Sequence, residues 1–234
     1  MTIKTKKSKD LAFAILIGGG STRFGSDKGL FQFQEKPLIS YLLETLTKLG
    51  YDIFLVANSK KQVQNYIDNI DIKKIVAFIL DEYELISDTN LRIPLLGLYS
   101  AFKELKKIGY KRVFTLSCDT PLVPFKVFEF IINQSEGYDC CIPKWMNNFT
   151  EPLLSIYNVE KAFQKAKANL LKKDYRLTNL IDGKWSINYI SIEDSIKPLD
   201  RELISFININ KPEDLENLRI HVSKSIIRKK NKKI

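Results

Sequence analysis

The sequence contains one histidine, His221, and three cysteines, Cys118, Cys140 and Cys141, in 234 residues. His221 falls in an exposed helix near the end of the chain in our prediction, so we do not expect a histidine-activated nucleophile. The cysteines are odd in number and do not have the paired spacing of a zinc site. Free thiols of this kind are typical of a reducing compartment, so we expect a cytoplasmic protein.

Long apolar runs are also missing. No stretch reaches the 18 or so residues that a membrane-spanning helix requires, so we expect no membrane association. The charged N-terminus is followed by the seven apolar residues of 11–17, which end in three glycines. This run has the length of a buried strand and is predicted as one rather than as a signal peptide.

The positive charge is unevenly distributed. The net charge is +10, but residues 1–10 contain four lysines and residues 224–234 contain six cations, which leaves the body nearly neutral. We therefore predict a basic extension over 1–10, a single α/β domain over 11–220 and a basic tail over 221–234. The tails either favour solubility or make weak contacts with anions. A neutral body without an aromatic and basic stripe argues against a nucleic-acid-binding protein.

Predicted strands and helices alternate through the first 142 residues, and this alternation is typical of a parallel sheet built from βαβ units. The strands are predicted over 11–17, 53–57, 75–80, 112–117 and 138–142, and the helices over 37–49, 60–69, 94–108 and 124–134. Further strands are predicted over 153–157, 187–192 and 203–207, a turn over 177–181, and helices over 159–171 and 212–219. We expect a three-layer α/β fold, a mostly parallel twisted sheet with helices on both faces.

Three polar segments each follow a predicted strand: the glycine-rich segment from Gly18 to Lys28, then Asp81, then Asp119. Ligands of parallel α/β sheets bind outside the carboxyl ends of the strands. We therefore expect these segments to form one site at one edge of the sheet.

The glycine-rich segment has the composition of a phosphate cradle. It contains Gly18, Gly19 and Gly20, which allow backbone N–H groups to approach an anion, and the cations Arg23 and Lys28. It matches neither GxxxxGK[ST] nor GxGxxG. The alternatives are an ordinary strand-to-helix turn, an Arg23 that pairs with Asp27, and a Lys28 that lies on the surface.

Asp119 is the best candidate for a metal ligand. A carboxylate at a strand end suits Mg²⁺, which keeps water and substrate phosphates in its other positions. The alternatives are an Asx turn or an N-cap for the following helix. Asp81 is a weaker site candidate, with a solvated strand end as its alternative, and Cys118 is predicted to pack in the core.

Several motifs together resemble a known family. They are GGGSTRFGSDKGL from Gly18, Pro94-Leu95-Leu96-Gly97, Cys118-Asp119-Thr120-Pro121, Glu151-Pro152-Leu153, and a late F-x-N-x-N-x-P-E-D-L from Phe206 that contains Asn208 and Asn210. The glycine-rich part is similar to the signature of nucleoside-triphosphate transferases. The whole set is most similar to the molybdenum cofactor guanylyltransferase family.

The resemblance implies roles for individual residues. The family holds the guanine nucleotide and its phosphates with the residues that correspond to Leu16, Ile17, Gly18, Gly19, Gly20, Ser21, Arg23, Lys28, Asp81 and Gly97. Asp119 corresponds to its Mg²⁺ ligand. The chain departs from the family at Glu35 and Ile93, where glycine is usual, and only Asn58 is available for an asparagine contact after the second strand.

The implied reaction is the attack of the terminal phosphate of the molybdopterin cofactor on the α-phosphorus of GTP, with release of pyrophosphate. Arg23, Lys28 and Asp119 would be the catalytic residues, and Mg²⁺ the metal. GTP and the molybdopterin cofactor would be the ligands, and molybdoenzymes or other proteins of cofactor biosynthesis are conceivable partners. The alternatives are a cytidylyltransferase or other nucleotidyltransferase with the same loop, or a protein that binds the nucleotide or cofactor without turnover.

Overall fold

Nine strands and five α-helices make up the described part of this computed structural model, which covers residues 9–18, 27–86, 88, 91–209, 214 and 216. The strands are β1 Leu11–Leu16, β2 Gln32–Phe33, β3 Lys36–Pro37, β4 Asp52–Ala57, β5 Ala77–Leu80, β6 Arg112–Ser117, β7 Cys140–Lys144, β8 Leu154–Asn158 and β9 Ile187–Ser191. The α-helices are α1 Leu38–Thr47, α2 Lys60–Asn69, α3 Pro94–Lys107, α4 Phe125–Gln134 and α5 Val159–Leu171. Single helical turns cover Lys28–Leu30, Ile72–Lys74, Leu177–Leu180, Ile192–Ile196 and Ile204–Phe206.

Seven strands form one sheet in the order β5-β4-β1-β6-β8-β7-β9. The first four of these are mutually parallel. β8 runs antiparallel to both β6 and β7, and β9 is parallel to β7. All strands of the sheet except β8 therefore point the same way, which confirms the predicted mostly parallel sheet.

β1 has apolar side chains on both of its faces. On one face, Leu11, Phe13 and Ile15 belong to the apolar cluster that includes the buried side chains of α1 and α4. On the other, Ala12, Ala14 and Leu16 belong to the cluster that includes those of α3 and α5. A strand covered on both faces has an unbroken apolar sequence rather than an alternating one. This arrangement confirms the three predicted layers, with helices on both faces of the sheet.

The strand predicted over 203–207 is wrong. Residues Ile204–Phe206 form a single helical turn, and Leu203 before it has a φ of 51°, which an extended strand does not allow. The buried carboxylate of Asp200 accepts hydrogen bonds from the amide and the hydroxyl of Ser205, at 2.8 and 2.7 Å. These two hydrogen bonds to the Asp200 side chain fix a turn at Ile204–Phe206, although the apolar residues of this segment resemble those of a strand.

Both ends of the chain extend beyond the described residues. Residues 1–8 and the basic tail with His221 lie outside them, as does Asn210. Of the helix predicted over 212–219, the structure describes Asp214 and Glu216, and both are helical. Within the described parts of the chain, no helix is both long and apolar enough to cross a membrane.

The hairpin of β2 and β3 explains one departure from the family pattern. Its two turn residues, Gln34 and Glu35, have φ values of 46° and 69°. This left-handed region favours glycine, the residue that the family usually has in place of Glu35. A side chain at this position is therefore under backbone strain.

We expect Glu35→Gly to stabilise the protein, because glycine adopts the observed backbone angles without strain. The gain should be up to about 1 kcal/mol, after the greater flexibility of glycine in the unfolded chain is allowed for. This corresponds to a rise in Tm of roughly 2–4 °C for a chain of this size. Glu35→Ala is the control, since alanine keeps the strain, and an equal rise in both variants would contradict the prediction.

Candidate functional site

The carboxyl ends of β5, β4, β1 and β6 lie side by side at one edge of the sheet. Gly18 follows β1, Asp81 follows β5 and Asp119 lies two residues after β6. The ladder continues past β5, because the Asp81 amide donates to the Ala57 carbonyl at 2.9 Å. The three predicted segments therefore meet at this edge, as expected from the order of the elements.

The structure brings together the predicted site residues that it describes. These are Leu16, Ile17, Gly18, Lys28, Asp81, Gly97 and Asp119. Gly19, Gly20, Ser21 and Arg23 lie outside the described residues. The functional roles of all of these residues are predictions.

The end of β1 is held in the sheet by its backbone. The amides of Ile17 and Gly18 both donate to the Val56 carbonyl, at 3.0 and 3.2 Å. These two donors are used within the protein, so neither is available to a phosphate. We therefore expect the donors of the phosphate cradle to come from the residues after Gly18.

Asn58 lies against the glycine turn. A Cβ built on Gly18 would come within 3.3 Å of the backbone nitrogen of Asn58 and 3.4 Å of its Cβ. The family resemblance implied an asparagine contact at the end of the second strand. Asn58 directly follows β4, and its contact with a nucleotide remains a prediction.

Gly97 allows α3 to approach the strand ends closely. A Cβ on Gly97 would lie 2.9 Å from Cδ2 of Leu16 and 3.4 Å from Oδ1 of Asp81. A side chain at this position would force Leu16 to move. Leu16, Asp81 and Gly97 come from three different elements and form one small patch at the edge.

The Asp81 carboxyl group is partly buried. Burial raises its pKa to about 6, and the nearby positive charge of Arg92 lowers the pKa in part. The next residue fixes the segment to α3, because the Glu82 amide donates to the hydroxyl of Ser100 at 2.8 Å. At neutral pH Asp81 is thus a poorly solvated carboxylate, which a ligand with hydrogen-bond donors would stabilise.

Asp119 has the property expected of a cation ligand. Its Oδ1 atom is buried and has no hydrogen-bond partner among the described residues. It does not cap the next helix, because α4 has Pro124 at its N-cap position and no capping side chain. Its backbone carbonyl accepts a hydrogen bond from the Ile209 amide at 2.9 Å, which holds the late segment next to it. A buried carboxylate oxygen without a partner is expensive unless a ligand satisfies it.

The described residues contain no group of three or more metal-binding side chains. A metal at Asp119 would therefore take most of its ligands from water and substrate. This coordination is usual for Mg²⁺ beside nucleotide phosphates, and Asp119 fits it.

Cys118 connects the glycine-rich segment to Asp119. The thiol is buried and unpaired. Burial raises its pKa to about 12, with a further rise from the Asp119 charge, a fall from the Lys28 charge and a smaller rise from Asp27. The thiol therefore stays protonated, as the prediction of a packing role requires. The turn that carries Lys28 lies next to Cys118, because a Cβ built on Gly29 would be 3.4 Å from Cβ of Cys118.

A cleft of about 550 Å³ opens on the other side of Asp119. It is lined by residues from the end of β6, the segment before β8, the turn after α5 and the late segment, namely Ser117, Asp119, Thr120, Glu151, Pro152, Leu153, Leu154, Arg176, Leu177, Thr178, Ser205, Phe206 and Asn208. The cleft has room for a second substrate. Arg176 gives it positive charge, and Asn208 an amide.

Glu151 and Arg176 are cleft residues that sequence reasoning did not select as site residues. Glu151 belongs to a motif of the family resemblance, which is the signal that could have identified it. Burial raises the pKa of the Glu151 carboxyl group, a hydrogen bond from Trp145 lowers it, and the Asp119 charge raises it. The bond from Nε1 of Trp145 is 2.7 Å long and holds Glu151 at the cleft wall. Arg176 lies in no motif, and only the folded chain brings it to the cleft.

Gly29 lies against the buried side chain of Tyr66 on α2. A Cβ on Gly29 would lie 2.3 Å from the Tyr66 hydroxyl oxygen, 3.3 Å from Cζ of the same ring and 3.4 Å from Cβ of Cys118. No real contact is as short as the first of these. The turn that carries Lys28 is therefore packed directly on α2.

We expect Gly29→Ala to destabilise the protein by about 1–3 kcal/mol through overpacking. The double variant Gly29→Ala with Tyr66→Phe should recover most of this loss, because the atom that clashes is removed. Chemical denaturation of both variants and of Tyr66→Phe measures the coupling. Gly183→Ala is the control, since a Cβ there would meet no atom within 4 Å. Additive effects of the two substitutions would show that the clash is not the cause.

Comparison with known proteins supports the interpretation of this edge. Residues 13–186 match the family described as "MobA-like NTP transferase domain". A relative from Methanosarcina mazei, named "Probable molybdenum cofactor guanylyltransferase", is 25% identical over 232 residues and aligns with 95% of this chain and 96% of its own length. A relative of the same name from Pyrococcus horikoshii is 32% identical over 211 residues, with 88% of this chain and 97% of its own covered.

A solved structure has the same fold over nearly the whole chain. It is the crystal structure of molybdopterin-guanine dinucleotide biosynthesis protein A from Archaeoglobus fulgidus, with a TM-score of 0.70 and 25% identity. The match covers 91% of this chain and 99% of that one. The family match includes the glycine turn, Asp81 and Asp119, and the relatives confirm the resemblance found in the sequence. The chain belongs to the MobA-like NTP transferase family.

Proposed function

We propose that the protein transfers GMP from GTP to the terminal phosphate of the molybdopterin cofactor and releases pyrophosphate. An oxygen of the acceptor phosphate attacks the α-phosphorus of GTP, and the bond from that phosphorus to the bridging oxygen of pyrophosphate breaks. The electron pair leaves with pyrophosphate. The observation that carries the proposal is the position of Asp119, between the glycine-rich edge on one side and the cleft on the other.

The glycine-rich edge would hold the donor nucleotide. Lys28 supplies positive charge for the triphosphate, and Arg23 is predicted to do the same for the leaving pyrophosphate. Phosphoryl-type transfers require mainly positioning and charge stabilisation, and the residues at this edge supply both.

Asp81 would recognise the base. Guanine presents two N–H donors on its Watson–Crick edge, whereas adenine and cytosine present a ring acceptor at the corresponding place. A carboxylate accepts hydrogen bonds and donates none when ionised, so Asp81 favours guanine at neutral pH. Leu16 and Gly97 contact the same patch and would bound the base pocket.

Mg²⁺ would be held by Asp119, whose buried Oδ1 has no hydrogen-bond partner in the described part of the chain. When bound, the ion neutralises charge on the reacting phosphates. By holding the ion, Asp119 would orient the phosphates of the donor GTP toward the cleft. The acceptor would lie in the cleft, where Arg176 offers its guanidinium group to a phosphate and Asn208 offers its amide to polar groups of the pterin.

We expect Asp81→Asn to raise stability at neutral pH and to weaken GTP binding. The carboxyl group is held at a pKa of about 6 in the folded chain, above its ordinary value of 3.8. Ionisation of Asp81 is therefore less favourable in the folded chain than in the unfolded chain. The resulting loss of stability is absent below about pH 4, grows as the pH rises and is complete above about pH 6. Removal of this charge should stabilise the protein by about 1–2 kcal/mol at pH 7.5, with allowance for partial exposure.

The measurement is Tm for the wild type and Asp81→Asn from pH 4.5 to pH 8, with GTP affinity by calorimetry at pH 7.5. The stability difference should shrink toward the acidic end, and GTP affinity should fall about tenfold or more in the variant. Asp68→Asn, on the exposed face of α2, is the control. A pH-independent difference in Tm would contradict the buried charge, and unchanged GTP affinity would contradict the role in base recognition.

Transfer itself is tested by incubating the full chain with Mg²⁺, molybdopterin cofactor and each of GTP, CTP, ATP and UTP in turn. Mass spectrometry should detect the guanine dinucleotide product and one equivalent of pyrophosphate with GTP. A cytosine product would instead identify a cytidylyltransferase. Nucleotide binding without any dinucleotide product would identify a binding protein without turnover.

A further inference from the structure

Gln62 is a buried polar residue in the first turn of α2, with an exposed fraction of 4%. Its backbone amide is used by the helix cap, because it donates to the Ser59 hydroxyl at 3.2 Å. The acceptor oxygen of its side chain bonds to the residue before the helix cap, and the donor nitrogen points toward the glycine-rich edge. A buried amide side chain requires partners for two donors and for its acceptor oxygen.

Three hydrogen bonds satisfy the Gln62 side chain. Its Nε2 donates to the carbonyl of Ile17 at 2.9 Å and to Oδ1 of Asp27 at 2.5 Å. Its Oε1 accepts a hydrogen bond from the amide of Asn58 at 2.9 Å. One side chain thus joins the end of β1, the residue after β4 and the aspartate immediately before Lys28.

These partners lie at both ends of the glycine-rich segment. Ile17 precedes Gly18, and Asp27 precedes Lys28. Gln62 bonds to both ends, whereas the sheet bonds of Ile17 and Gly18 hold only the first of them. Burial raises the pKa of Asp27, and hydrogen bonds from Gln62 and Asn65 lower it, so the amide favours the charged carboxylate.

We propose that Gln62 is a positioning residue that fixes both ends of the glycine-rich segment and thereby places Lys28 on the donor nucleotide. The proposal rests on the proposed function for the identity of that nucleotide and goes beyond it by naming how the lysine is held. Gln62 acts through Asp27 and Ile17 and does not touch the substrate. No motif of the sequence contains it.

The hydrogen-bond pattern predicts which substitutions fail. Methionine is similar in length but has no N–H donor, so Gln62→Met leaves the Ile17 carbonyl, the Asp27 carboxylate and the Asn58 amide without this partner. Gln62→Glu keeps the shape and the acceptor but, when ionised, loses both donors and faces Asp27 with a like charge. Gln64 on the same helix is exposed and bonds to Asp68 at 2.8 Å, so Gln64→Met and Gln64→Glu are matched controls.

The experiment measures nucleotide affinity by calorimetry with Mg²⁺, and KM for donor and acceptor, in the full chain. Both Gln62 variants should weaken donor binding by about tenfold or more, because small displacements of positioning groups have effects of this size. KM for the acceptor should stay within about twofold of the wild type, as should all values for the Gln64 variants. Tm of each variant shows whether it is folded. If Gln62→Met does not fold, the proposal is tested with Gln62→Glu.

A second measurement separates positioning from general support of the fold. If Gln62 acts by placing Lys28, then Gln62→Met should weaken donor binding by less than about threefold in a Lys28→Ala background. An equal loss in both backgrounds, or wild-type donor binding in both Gln62 variants, would overturn the proposal.

Rejection of the proposed function can be distinguished from rejection of the role of Gln62. The affinities are measured with whichever of the four nucleoside triphosphates the wild type binds, so a preference for CTP would reject GTP as donor and still test Gln62. A wild type that binds none of the four would reject both proposals.

Discussion

The Asp119→Asn substitution is expected to slow GMP transfer by about 10²–10³-fold, the usual effect of removing one preorganised charge from a transfer site. Oδ1 of Asp119 is buried and has no hydrogen-bond partner within the ranges that the structure describes, so an uncharged amide at the same place removes attraction for a cation. The variant should fold, since asparagine keeps the size of the side chain. GTP binding in the absence of metal should change little.

Metal dependence is the part of this result that identifies the role of Asp119. A weakened cation site can be refilled by mass action, so raised Mg²⁺ or added Mn²⁺ should restore part of the rate. Steady-state rates over a range of metal concentrations measure this directly. Asp68→Asn on the exposed face of α2 is the control and should match the wild type within about twofold. Wild-type turnover by Asp119→Asn in limiting Mg²⁺ would show that Asp119 is only a turn residue.

Most of the fold could be predicted because local sequence and tertiary position agree. β1 is apolar on both faces since helices cover both, and that makes its run of seven apolar residues recognisable. Gly50 and Gly109, which directly follow the helices predicted over 37–49 and 94–108, have positive φ values of 75° and 92°, the backbone conformation in which many helices end. The meeting of Gly18, Asp81 and Asp119 followed from strand order alone.

The features that could not be predicted leave no periodic pattern in the sequence. The hairpin of β2 and β3 contains only two pairs of residues, too few for a periodic pattern. The turn at Ile204–Phe206 is fixed by Asp200, and Phe206 packs on Trp145 with ring centroids 5.0 Å apart. Because Ile204–Phe206 has the apolar composition of a strand, its sequence alone does not reveal that these contacts fold it into a turn.

Some residues of the candidate site could likewise be predicted from the sequence, and others could not. Residues in motifs, such as Lys28 and Asp119, could be selected from the sequence because their chemistry requires glycine or charge at a strand end. Arg176 and Gln62 could not, since each is an ordinary polar residue until the fold places it. Ile93 shows the converse: its φ is −127°, so this position does not require the glycine that the family usually has before Pro-Leu.

Lys28→Ala should produce a different defect from Asp119→Asn. Gly29, the residue after Lys28, lies against Cys118 beside Asp119, and we therefore propose that Lys28 acts at the reacting end of the donor. Loss of a cation that contacts phosphate should weaken GTP binding by about tenfold or more and slow transfer by about 10²-fold. Rates and calorimetric affinities are compared with those of Lys61→Ala, an exposed position on α2 that should behave as the wild type.

Two further measurements test whether Lys28 contacts the phosphates of GTP: rescue of Lys28→Ala by metal, and its affinity for GTP compared with GMP. Raised Mg²⁺ or Mn²⁺ should not restore the Lys28→Ala rate, because the metal site at Asp119 is intact and already filled. The loss of affinity should be larger for GTP than for GMP, since GMP lacks the two phosphates that leave. Recovery of Lys28→Ala by metal, or an equal loss for both nucleotides, would contradict a direct contact with the triphosphate. Lys28 would then act on the shape of the turn at Lys28–Leu30, which Gly29 and Tyr66 already constrain.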